Sequence, residues 1–121
     1  MKAKELMIGD KVMVKILSQI PNTYVLHTWT ANDYSRDIQV KPISLTPEIL
    51  EKNGFIKVNS QRYDYGYPDT DCYVKVNPKK NMIHVNGRNA NSNLYSHSFV
   101  HEMQRALRLC GLDEIADNFK V

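Results

Sequence analysis

The sequence predicts an α+β protein, and three observations carry that prediction. Val12, Val14 and Ile16 alternate with Lys11, Met13 and Lys15 in the period of a half-buried strand, "SLTPEILEKNGF" has the signals of a short helix at both ends, and "SFVHEMQRALRLCG" has the apolar spacing of an amphipathic helix. The expected architecture is a small antiparallel N-terminal sheet, SH3-like in its opening, then a short capped helix, a second antiparallel meander and a C-terminal amphipathic helix. The 121 residues are read as one compact domain, 1–121, with 1–43 as a small β-barrel or sheet sub-unit and 44–121 as helix, meander and closing helix.

The elements follow in chain order. After the Gly9-Asp10 turn, Val12, Val14 and Ile16 face one way and Lys11, Met13 and Lys15 the other. "TYVLHTWT" at 23–30 and "DIQVKPI" at 37–43 read as two more strands, separated by the polar turn segment "ANDYSR". The first helix takes Thr46 as N-cap, Pro47 at its first position and Glu48 in its positive first turn, and it stops at Asn53-Gly54. Leu45 and Leu50 are placed to staple its start, and Phe55 to fold back over its end. Strands are expected near 55–58, 72–76 and 82–85, linked by Pro68-Asp69, by "NPKKN" and by an Asn-rich loop.

For the closing helix, Ser98 is taken as N-cap and Gly111 as the residue just past the end. At about 100° per residue, Phe99, Val100, Met103, Ala106, Leu107 and Cys110 fall in one arc of about 120°. His101, Gln104, Arg105 and Arg108 fall on the opposite side, as a stripe expected to face water or a partner. The tail turns at Gly111 and restarts as a short helix with Asp113 as cap, offering Ile115, Ala116 and Phe119 for docking.

Composition limits the function classes. A net charge of +3 from 16 basic and 13 acidic side chains permits a nucleic-acid partner without demanding one. Cys72 and Cys110 are far apart and lack metal-ligand spacing, which reads as two reduced thiols in a cytoplasmic protein. No signal-peptide pattern opens the sequence, and no apolar run approaches the roughly 20 residues a bilayer needs, so no membrane partner is expected. Glycine-rich phosphate loops are absent, and no cofactor is expected.

Three candidate sites were weighed. The helix stripe His101, Gln104, Arg105 and Arg108 is a candidate binding face. Tyr63, Tyr65 and Tyr67 alternate in "YDYGY", and with Lys79 and Lys80 they form a candidate aromatic-basic platform for single-stranded nucleic acid, although tyrosines also simply cover sheets. His97, His101 and Glu102 suggest a zinc-hydrolase helix, but such a site needs two imidazoles four residues apart with a Glu between them. Position 105 is Arg, and Val100 stands where the inverted motif carries Glu, so neither a metal nor a catalytic residue is assigned. A non-enzymatic binding or adaptor protein with a protein partner is the expected function. A nucleic-acid-binding accessory protein is the first alternative and the metal-dependent hydrolase the second.

"LMIGDKV", "VKPISLTPEILEKNGFIK" and "SFVHEMQRALRLCGLDEIADNF" together resemble a group of small proteins from gut anaerobes, their prophages and mobile elements. The shared pattern runs through Ile8 to Val12, then Pro42, Ile43, Leu45, Thr46, Glu48, Leu50, Gly54 and Phe55, and closes on Phe99, Val100, His101, Met103 and Gln104. Phe99 stands where the group has Tyr, and Met103 where it has Leu. The resemblance implies the same helices and strands and a mobile-element setting, and it brings no activity with it.

Overall fold

The computed structural model describes residues 5–16, 23–35, 38–60, 62–65, 73–77, 82–87, 90–95 and 99–121. The protein is of the α+β class, and its chain divides into two compact units, Met1–Ile43 and Ser44–Val121.

The first unit is built on three antiparallel strands, β1 (Lys11–Ile16), β2 (Val25–Thr28) and β3 (Ile38–Lys41), in the order β2-β1-β3. Val12 lies opposite His27, Val14 opposite both Val25 and Val40, and Ile16 opposite Ile38. Directly opposed residues share a face, so the valines of β1 and the apolar residues of β3 look the same way. Val12 and Val14 are buried there with Leu6 and Trp29, and Ile38 and Val40 pack against them. The turn before β1 is fixed by Gly9, whose φ of 96° suits a residue without Cβ, and by Asp10, whose carboxylate accepts the Met7 N–H at 2.9 Å. Backbone bonds from Gly9 N–H to the Trp29 carbonyl (2.9 Å) and from Trp29 N–H to the Asp10 carbonyl (2.8 Å) carry the pairing past the strand ends. "ANDYS" winds into a 3-10 turn, Ala31–Ser35.

The second unit begins with α1 (Pro47–Lys52) and continues through a five-stranded antiparallel meander, β4 (Ile56–Asn59), β5 (Arg62–Tyr65), β6 (Tyr73–Asn77), β7 (Met82–Gly87) and β8 (Ala90–Tyr95). It closes with α2 (Val100–Leu109) and α3 (Asp113–Asp117). Thr46 caps α1 as its sequence requires, its hydroxyl accepting the Ile49 N–H at 3.2 Å. Gly54, at φ 85°, ends the helix: its N–H reaches the Glu51 carbonyl and the Phe55 N–H reaches that of Leu50. The same pattern ends α2, with Gly111 N–H on Arg108 and Leu112 N–H on Leu107.

Tyr63 pairs with Val76, Val76 with Ile83, and Val74 with Val85, which gathers these side chains on one buried sheet face. α2 lies against β7 and β8, with Val100, Met103, Ala106 and Leu107 buried. At about 1.5–3 kcal/mol for each large apolar side chain removed from water, this layer is the main source of the unit's stability. The carboxamide of Asn53 accepts the Lys120 N–H at 2.7 Å and donates to the Lys120 carbonyl at 2.8 Å, tying the C-terminal tail to the end of α1.

Three expectations are corrected. The Asn-rich segment is a strand, because β8 pairs residue by residue with β7 from Gly87 and Ala90 to His84 and Asn93. Tertiary pairing overrides the weak strand propensity of asparagine. The strand expected at the alternating tyrosines is present as β5 (Arg62–Tyr65), and β8 brings the meander to five strands. The N-cap of α2 is Phe99, with Glu102 reaching back to its N–H at 3.2 Å, and that of α3 is Leu112, with Asp113 the first helical residue. Ser98 lies outside the described residues.

Candidate functional site

The sheet of the first unit has a second face, opposite its core. Lys11, Met13 and Lys15 alternate with the buried valines of β1. Register places Thr28 beside Lys11, and both Leu26 and Lys41 beside Met13. Gln39 lies beside Lys15 on the other flank. Tyr24, one residue before β2, lies close to two ammonium groups, with Lys15 Nζ 5.4 Å and Lys41 Nζ 5.8 Å from the centre of its ring. Both distances are within the reach of a cation–π attraction, so the ring holds positive charge beside itself. Lys11 Nζ donates to Thr28 Oγ1 at 2.7 Å. Tyr24 and Leu26 keep 38% and 53% of their surface in water. No carboxylate stands among the described residues of this face. It is therefore a cationic surface with an aromatic and apolar edge, Tyr24 and Leu26 lying along the edge strand β2 and the lysines on β1 and β3 to one side of them.

On the core side of the same sheet, His27 Nε2 and Asp33 Oδ2 are 2.6 Å apart, and the same oxygen accepts from Thr30 N–H and Thr30 Oγ1, each at 2.8 Å. Asp33 is buried. Burial, the largest influence, pushes its carboxyl up. The hydrogen bond from His27, those from the Thr30 N–H and hydroxyl, and the His27 charge outweigh it, and the carboxyl is lowered to about 2. Trp29 stands edge-on to both His27 and Tyr34, at 6.4 and 5.5 Å between ring centres. This network fixes the 3-10 turn against the sheet.

The helix stripe named from the sequence is not a solvent face. His101 is 5% exposed and stacks on Phe99 at 5.8 Å, and Gln104 is fully buried with its Nε2 donating to the Ala116 carbonyl at 3.0 Å. Arg105 and Arg108 are half-buried, and Arg108 reaches Asp117 Oδ1 at 3.1 Å. The wheel assumed one partner for α2, whereas α3 folds back and covers the side that the sheet does not. The aromatic platform is not assembled where it was expected either. Tyr63 is 5% exposed in the sheet core, and Tyr65 packs on Phe55 at 5.3 Å. Tyr67, Lys79 and Lys80 lie outside the described residues, as does His97. Glu102 Oε1 is engaged by the Phe99 N–H, and among the described residues no group of three or more His, Cys, Asp or Glu converges.

The polar face of the second sheet carries a cleft of about 360 Å³ lined by Arg62, Lys75, Asn77, Met82 and His84. Its charge is partly cancelled at source. Arg62 forms a two-pronged pair with the buried Asp64, Nε to Oδ1 at 2.8 Å and Nη2 to Oδ2 at 2.6 Å, and Lys75 lies directly opposite Asp64 in the register. The outward strand residues of the first sheet include Lys11, Lys15 and Lys41 and no acidic residue.

That surface went unread in the sequence although half its signal was visible. Lys11, Met13 and Lys15 were recognised as the outward residues of a strand. Only the register brings Tyr24, Leu26 and Lys41 beside them. Comparison with known proteins returns no match to any family model, curated protein or solved structure.

Proposed function

We propose that the chain is a non-enzymatic binding protein whose working surface is the open face of the first sheet and whose ligand is a polyanion. The observation that carries the reading is Lys15 and Lys41 beside the exposed ring of Tyr24, with Leu26 next to it along the same edge strand. A cytoplasmic setting fits the half-buried thiol of Cys110, which is in no disulfide. The residues shared with the mobile-element group have structural roles: Gly9 and Asp10 shape a turn, Thr46 and Gly54 bound a helix, and Gln104 ties α2 to α3. These are roles in folding, and they leave the binding surface as the place where function resides.

The test is retention of the full chain on immobilised heparin under a salt gradient. Lys15→Glu with Lys41→Glu should elute at clearly lower salt, while Lys52→Glu with Lys57→Glu, exposed in the second unit, should elute with the parent protein. Equal elution of all three proteins refutes the reading.

A further inference from the structure

We propose that the polyanion is single-stranded nucleic acid, with a base stacked on Tyr24 and phosphates held by Lys15 and Lys41; the inference rests on the reading of this face given above. Charge alone would need no aromatic ring. Here the exposed ring of Tyr24 has an ammonium 5.4 Å from its centre on β1 and another at 5.8 Å on β3, with Leu26 and Met13 extending the apolar area between the strands. A single strand offers the matching pair: a flat, apolar base face for the ring and phosphates within a few ångströms of it for the lysines on the neighbouring strands. A duplex hides its base faces and is read by elements that enter its grooves, and a sheet face of this kind would meet only its backbone. An acidic protein would satisfy the lysines and leave Tyr24 and Leu26 without a counterpart. Lys11 and Lys15 are four residues apart on β1, which spans about 13 Å, so the face accommodates a short run of nucleotides.

Fluorescence anisotropy of a labelled 12-nucleotide single strand with the full chain tests the inference, with the matching duplex, polyphosphate and polyglutamate as competitors. Expected are preference for the single strand over the duplex and a log–log salt slope of about −1.4, from two lysines at about 0.7 each. Tyr24→Leu should weaken single-strand binding at least fivefold more than it weakens displacement by polyphosphate, the loss of one stacked base, and Tyr24→Phe should restore it. Trp29 fluorescence verifies that each variant is folded, and Lys15→Gln, which leaves the ring in place, should lower the salt slope by about 0.7. Equal binding of duplex and single strand, a Tyr24→Leu variant indistinguishable from the parent protein, or displacement by polyglutamate as effective as by the oligonucleotide would each overturn it. Lysine-dependent heparin retention together with single-strand binding that does not depend on Tyr24 overturns the nucleic-acid inference alone, whereas no lysine-dependent retention removes both.

Discussion

Asp33→Asn should cost the first unit stability at neutral pH and cost it progressively less as the solution is acidified. The carboxyl falls from its ordinary 3.8 to about 2 in the folded protein. At about 1.4 kcal/mol per pH unit, that difference contributes about 2 kcal/mol of folding free energy. Because the folded value is the lower one, the contribution is complete above pH 3.8 and drains away as pH falls through about 2. Asparagine removes the charge and has no such dependence. The stability gap between the two proteins should therefore shrink by about 2 kcal/mol between pH 5 and pH 2. Urea unfolding followed by Trp29 fluorescence measures it, since Trp29 is the only tryptophan and lies in the network itself. Two stability curves that stay parallel across that window would show that the bonds from His27 and Thr30 do not stabilise the ionised carboxylate.

Two further outcomes test the packing of the second unit. Gln104→Ala should lower stability by about 2–3 kcal/mol in urea titration, through a lost bond to the Ala116 carbonyl and a cavity in a fully buried site. Gly111→Ala should cost about 1 kcal/mol from the backbone alone, because φ is 76° and an added Cβ meets nothing within 4 Å; a neutral midpoint shift in thermal melts would contradict it.

The parts legible in the sequence are those whose causes are local. Thr46, Pro47 and Gly54 bound α1 through bonds to residues within four positions, and the alternation of Val12 and Val14 places them inward whatever the strand pairs with. β8 was missed because asparagines join a strand only when β7 is there to pair with them. His101 and Gln104 were assigned to water because amphipathicity describes two sides of a helix, and α2 is covered on more than one. The candidate surface needed register, which relates residues on three strands and has no signature along the chain.

Asn53 shows how one side chain can stand in for a length of strand. A carboxamide presents a donor and an acceptor side by side, as the N–H and C=O of one strand residue do, and at Lys120 it forms the two-bond ring that a neighbouring strand would form. The tail is thus annealed across 67 positions of sequence by a single rung. An aspartate here would turn the donor into a second acceptor facing the Lys120 carbonyl, so the exchange of one atom would convert a latch into a repulsion.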